Sequence, residues 1–394
     1  MISGSGRVFL TLLLINLSLP LDGLANLPLQ LIMKDQLDAG PVIIATSNAI
    51  ISAPIVVAWL AGLLRDVNGG GSIDRFFVGA GALLATSCYA FLAANVPDLR
   101  LIVAVAFVAS AGLVLAKTSA QAVMSQGAQH THTEDRAGAV WNIVETLPTV
   151  ASYAIGPVLL RGLGPSGFFL VCGCLASLGL LVGFAAVGRT EAATNGQPAV
   201  TARGLKQLLF APSYALALLV IFLFAIQPGW QTPILFYLTK VVGLSQIDYG
   251  RFWVFSSVFV IIGCTLYRVW ARSASERILL RAATLLMVLQ SPAPLLISDS
   301  AGAYPIAALS GLMYGFGIAA YWSLLIRSIP FGLHGAGYMV AVLVSVVGIR
   351  GGDIAGSWML EHYGYVIPFV ITTLTTALIA PTLLVRRLTV LRAG

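Results

Sequence analysis

Five ionisable side chains, Asp22, Lys117, Glu145, Arg350 and Asp353, fall inside stretches otherwise apolar enough to lie in lipid. A charge at the bilayer centre costs about 2.5–3.5 kcal/mol even on the lenient insertion scale. Five such groups imply a use, either in holding helices together or in handling a charged solute. Arg350 and Asp353 are three residues apart and share a helix face, with Gly351 and Gly352 leaving space beside them. The run 348–356 therefore has two readings. It is a glycine-rich packing face holding an intrahelical ion pair, or a site where Arg350 binds an anion and Asp353 controls its availability. Arginine suits a carboxylate because its planar fork donates two parallel hydrogen bonds. Asp22 lies where Pro20 and Gly23 loosen the helix, with no evident local partner. Desolvation disfavours the charged form of a carboxylate, so a group so placed can take up and release a proton. The alternative is a protonated aspartate bonded to a neighbouring helix. Lys117 and Glu145 lie at similar depth on consecutive spans and should pair, since burying either alone is costly. Such a pair can also open, letting Lys117 meet a solute.

Uncharged polar residues share these stretches. Asn26 and Gln30 stand one turn apart, and Gln227 and Gln231 repeat the spacing. With Tyr321 and Trp322 they are candidate solute ligands; helix-packing hydrogen bonds are the plainer role for each. Asn48, Gln121, Asn142, Tyr237 and Tyr314 belong to the same polar set, and Trp230 is a second candidate for stacking on a flat solute. Glu145 and Asp353 join Asp22 as groups able to couple transport to protons. The segment Gln129-His-Thr-His-Thr-Glu-Asp135 has metal-ligand types. One exposed loop with no second pair does not complete a site, so no metal is expected. No phosphate-cradling loop with a following Lys and Ser or Thr is present, and no nucleophile–base set stands out. Neither a cofactor nor an enzyme is expected.

These residues must be positioned by helices in a bilayer. Hydrophobic residues make up 58% of the chain and charged residues 9%, far below the roughly 25% charged residues of a soluble domain. A span needs roughly 20 apolar residues, and twelve stretches meet this, at 8–32, 42–64, 76–96, 101–124, 138–160, 164–188, 209–239, 251–270, 278–298, 303–326, 336–360 and 364–385. They do not alternate in polarity as barrel strands do. The first is too long for a signal peptide and lacks a cleavage site. Twelve spans put both termini on one face, which carries fifteen of the 22 Lys and Arg; five lie opposite, and Lys117 and Arg350 lie within spans. The positive-inside rule places that face in the cytoplasm. No basic patch with interleaved aromatics argues for nucleic acid. Cys88, Cys172, Cys174 and Cys264 all fall in spans and read as small apolar residues.

The longest polar interval, 189–208, is rich in linker residues and divides the chain into halves, 1–188 and 209–394. The halves echo one another: Pro28 and Pro233 lie 205 positions apart, and Gly62-Leu-Leu-Arg-Asp66 after the second span answers Gly263-Cys-Thr-Leu-Tyr-Arg268. Two related six-helix halves are a transporter signature. Twelve helices, the six-plus-six split, the mid-chain linker and Gly-x-x-x-Asp at Gly62 and Asp66 resemble the major facilitator superfamily along the whole chain. Its loop motif continues Arg-x-Gly-Arg; here Val67-Asn68-Gly69-Gly70-Gly71-Ser72-Ile73-Asp74-Arg75 follows, with Arg75 as a displaced basic residue. The resemblance implies an all-α membrane protein of two pseudo-symmetric six-helix bundles, with Gly62, Asp66 and Arg75 in a gating loop. Leu27-Pro28-Leu29, Lys34-Asp35-Gln36-Leu37 and Pro41 are similar to folate–biopterin carriers and to related muropeptide or siderophore importers.

The functional expectation is a secondary active carrier, a symporter of a small organic anion with protons. It would be a monomer in the lipid of a bacterial inner membrane, with both termini cytoplasmic. Two alternatives remain open. One is an exporter of amphipathic compounds, suggested by Gly156-Pro157; the other is a receptor or scaffold that moves nothing.

Overall fold

A computed structural model describes residues 12–68, 71–95, 98–130, 134–186, 211–330 and 333–383, with residues 126–130, 134–137 and 182–186 described by backbone alone. The linker 189–208, the start of the first span and the centre of the His-Thr-His segment lie outside the described residues. So do Gly69 and Gly70. Among the described residues there is no strand.

Among the described residues, twelve helical segments answer the twelve apolar stretches. They are α1 (12–36), α2 (Pro41–Val67), α3 (Ser72–Ala94), α4 (Leu99–His130), α5 (134–163), α6 (165–186), α7 (212–241), α8 (Gln246–Trp270), α9 (Glu276–Gln290), α10 (Ser300–Ser328), α11 (His334–Tyr363) and α12 (Val366–Leu383). Helices α5 and α6 are one helical run, Glu134–Ala186, turned at Gly164, whose φ of 67° suits glycine. The outer surface is apolar: Leu181, Leu285 and Leu374 are all exposed, as side chains meeting lipid rather than water must be. Cys174 also faces outward, whereas Cys88, Cys172 and Cys264 are buried as expected.

Two helices do not run through. Helix α1 stops after residue 17, turns through 18–25, resumes at Asn26–Leu31 and ends in a π turn, Ile32–Gln36. Helix α7 runs over Pro212–Ala225, becomes extended at Ile226 (φ −74°, ψ 91°), resumes at Thr232–Phe236 and ends in a π turn, Tyr237–Val241. Pro20 and Pro228 lie in the two interruptions; proline has no N–H to give a helix. The π turns lie 205 positions apart, the spacing of Pro28 and Pro233. Gly164 and Gly364, which end α5 and α11 with φ of 67° and 79°, lie 200 apart. The halves thus match element by element, the second being five residues shorter between its first and fifth helices.

Backbone groups freed by a break cannot turn to water inside a bilayer and need protein partners. In α1, Ser152 Oγ of α5 donates to the Gly23 carbonyl at 2.5 Å. In α7, Thr375 Oγ1 donates to the Ile226 carbonyl at 3.0 Å, and Gly229 N–H donates to Thr372 Oγ1 at 2.9 Å. Asp353 completes the set, accepting from Thr232 N–H at 2.9 Å and from its hydroxyl at 3.1 Å. Close approach of α11 to this break depends on Gly356, where a Cβ would collide with the Pro228 backbone.

Gly356→Val should therefore lower the thermal unfolding midpoint in detergent, overpacking costing about 1–3 kcal/mol. Gly351→Ala, where a Cβ meets nothing within 4 Å, should leave it unchanged. Equal midpoints for the two variants would contradict this packing.

Candidate functional site

The breaks turn side chains inward. A cavity of about 310 Å³ lies between α1, α2, α4 and α5 on one side and α7, α10 and α11 on the other. Asp22, Asn26 and Gln30 reach it from α1, Lys117 and Gln121 from α4, Glu145 from α5, Gln227 and Gln231 from α7, Trp322 from α10 and Arg350 from α11. Gln227 and Gln231 stand 205 positions beyond Asp22 and Asn26, so equivalent turns of the two broken helices face each other. Gln30 Nε2 donates to Asn26 Oδ1 at 3.2 Å, holding both amides on one face.

The charges are arranged unequally. Lys117 lies between two carboxylates: it pairs with Asp22, and its Nζ donates to Glu145 Oε1 at 2.5 Å. The side chain of Lys117 is 12% exposed, and those of both carboxylates are 35% exposed. Among the described residues, Arg350 makes one hydrogen bond, Nε to Ser52 Oγ at 2.9 Å. No carboxylate among the described residues lies within ion-pair distance of it. Its fork is therefore available, beside a neutral hydroxyl.

A second chamber of about 260 Å³ adjoins the first, sharing Glu145, Gln227, Gln231, Tyr314 and Ile318. Its other lining is uncharged, including Ser256, Ser257, Gln290 and Ser310. Aromatic groups flank the cavity along the helix axes. Toward the Asp66 end, Trp322 stacks on Tyr338 with centroids 4.9 Å apart, and Trp141 meets Tyr338 edge-on at 6.3 Å. Toward the other end, Tyr153 of α5 stacks on Trp253 of α8 at 5.7 Å.

A family model described as the BT1 family matches residues 21–300, more than half the chain. The chain belongs to the BT1 family. No curated protein matches it by sequence. Two solved structures share its architecture at 16% identity each. The human organic anion transporter MFSD10 (TETRAN) gives a TM-score of 0.69, covering 96% of this chain and 98% of that one. A bacterial homologue of the iron transporter ferroportin, in an outward-facing state, gives 0.70, covering 95% and 97%. This BT1 family member thus has the major facilitator transporter fold and is an integral, multi-pass membrane protein.

Within it, most of the candidate solute and proton ligands converge on the cavity, but Asp353 and Tyr321 do not. Asp353 is fully buried and does not line either chamber; both its oxygens are committed to Thr232. It forms no ion pair with Arg350, because the shared face is split between α7 on one side and the cavity on the other. Tyr321 also lies behind the wall: its hydroxyl meets Thr284 Oγ1 at 3.1 Å, and its ring supports the cavity-lining Phe224 edge-on at 5.4 Å. Asp22, read as lacking a partner, has Lys117. Tyr237 bonds to the Ile297 carbonyl at 3.0 Å, outside both chambers. Trp230 lines the second chamber, its indole N–H held by the Ser291 carbonyl at 3.2 Å.

The gating-loop residues lie at one mouth. Asp66, 7% exposed, accepts from Gly335 N–H at 2.9 Å and Ala336 N–H at 2.8 Å in the first turn of α11. Gly62 allows this approach, since a Cβ there would lie 2.5 Å from the Gly335 carbonyl group. Arg65 forks onto Asp74 at 3.2 and 3.3 Å and lies 3.5 Å from Asp66; Arg75 occupies the next position, in the first turn of α3. Ser52 and Trp141 gave no sequence signal, being an ordinary serine and tryptophan until folding brings them to the cavity.

Removing Lys117 leaves two close carboxylates with no cation between them, and their mutual repulsion is only partly screened in the cavity. Lys117→Met should lower the unfolding midpoint further than Glu145→Gln, and adding Glu145→Gln to Lys117→Met should recover part of the loss. A double variant no more stable than Lys117→Met alone would show that the three groups are not coupled.

Proposed function

We propose that this protein is a secondary active carrier that moves a small organic anion together with protons, by alternate opening of the cavity to the two sides of the membrane. The observation that supports this reading is the contrast between the two cavity cations. Lys117 is occupied by two carboxylates, while Arg350 faces the chamber with only a serine hydroxyl. A guanidinium so placed suits a carboxylate or phosphate.

Charge balance supports the coupling. With Asp22, Glu145, Lys117 and Arg350 all ionised, the cavity is neutral; a proton on either carboxylate leaves one net positive charge, matched by a monoanion. Asp22 lies at the break of α1, where a small change in the turn alters its contact with Lys117. The fold-level likeness to a human organic anion transporter agrees with this class. The basic bias of the terminal face supports cytoplasmic termini, and a bacterial inner membrane suits a monomeric carrier of this kind.

Arg350→Gln should abolish uptake of organic acids into proteoliposomes while leaving the unfolding midpoint of the substrate-free protein unchanged. Normal uptake by that variant would remove the anion site. Asp22→Asn should transport without responding to an imposed pH gradient. A wild-type response to the gradient would assign the proton to another group.

A further inference from the structure

Helices α2 and α11 run antiparallel, and neither supplies a capping side chain for its own N-terminus. The residue before α2 is Gly40 and the residue before α11 is Leu333, and neither makes a side-chain cap bond. The first N–H groups of a helix have no intrahelical partner. Here each helix obtains one from the far end of the other. Asp66, near the end of α2, accepts from Gly335 and Ala336 at the start of α11. Glu361, near the end of α11, accepts from Val42 N–H at the start of α2 at 3.3 Å. Between them, the same helices meet at Ser52 and Arg350. By helix rise, the Ser52–Arg350 contact lies about 21 Å from the Asp66 contact and about 15 Å from the Glu361 contact.

We propose that Glu361 is the latch of the mouth opposite Asp66, so that one helix pair carries a carboxylate clasp at each end and the anion site between them. The proposal rests on the alternating-access reading above and adds to it a residue and a direction. The two clasps are unequal. Asp66 is buried, takes two N–H groups and is backed by the Gly62–Gly335 contact. Glu361 is exposed and takes one; a Cβ on Gly40 would lie 3.6 Å from its Oε1, ordinary contact rather than tight packing. The Asp35–Gln246 hydrogen bond of 2.7 Å links α1 to α8 at the same mouth, also in an exposed position. The substrate-free carrier therefore opens more readily at the Glu361 mouth.

The test uses the full chain in vesicles of known sidedness, with Ser345→Cys as a reporter in the cavity wall and the exposed Cys174 replaced by serine. An impermeant thiol reagent is applied from each face. Labelling should be faster from the Glu361 face in the parent, and Glu361→Ala should raise that rate about two- to five-fold, as expected for an exposed carboxylate at a helix N-terminus. Asp66→Ala should raise labelling from the opposite face, with Asp66→Asn as the milder variant if alanine lowers the folded yield. If Glu361→Ala leaves its face unchanged while either Asp66 variant shifts the other, Glu361 is no latch and alternating access stands. If the reagent reaches position 345 from one face only in every variant, the alternating-access reading fails as well.

Discussion

A backbone break inside a bilayer has to be closed by protein, and most of the site's geometry depends on how this is done. The interruption in α1 is held by Ser152 of α5, and that in α7 by Asp353, Thr372 and Thr375 of α11 and α12. These bonds hold α1 against the fifth helix of its half and α7 against the last two helices of its own. With those helices set, Asp22 and Gln227 occupy equivalent turns and point into one chamber. An intact helix would satisfy its own backbone and place its side chains at fixed steps; a broken one gains a tight turn at mid-depth, at the expense of acidic and hydroxyl groups committed elsewhere.

Electrostatics then divides the chamber. The Asp22–Lys117–Glu145 set joins α1, α4 and α5 and carries one negative charge in excess when fully ionised. Arg350 answers it from α11 across the cavity. Both charges line the cavity, and aromatic pairs flank it toward either end. The second chamber extends the space in an uncharged direction, with Glu145 at the junction. A solute occupying both would meet charge at one end and neutral hydrogen-bonding groups at the other.

Much of this was legible from residue order. Twelve apolar runs predict twelve helices, and charges stranded in them predict a polar interior. The 205-residue echo of Pro28 and Pro233 reappears in the π turns. The Lys117–Glu145 pair is formed because their spans are consecutive and their depths agree, which a one-dimensional reading captures. Rotation about a helix axis is not captured. Asp353 shares a face with Arg350 but points to Thr232, and Tyr321 is adjacent to Trp322 yet lies behind Phe224. Partners distant in sequence are equally invisible: nothing near Asp22 announces a lysine 95 positions away, and nothing near Glu361 announces Val42 in the other half.

The matched π turns carry a historical implication. Each widens its helix by one residue at the same step, just beyond the break. A local irregularity shared at that position is inherited more simply than invented twice. The progenitor would then have been a six-helix polypeptide already possessing its irregular first helix. Both blocks contribute to the present chamber wall, so such a progenitor had to associate with a second copy of itself to enclose a solute. Gene fusion would have freed the two blocks to diverge, letting one specialise in the acidic set and the other in the guanidinium.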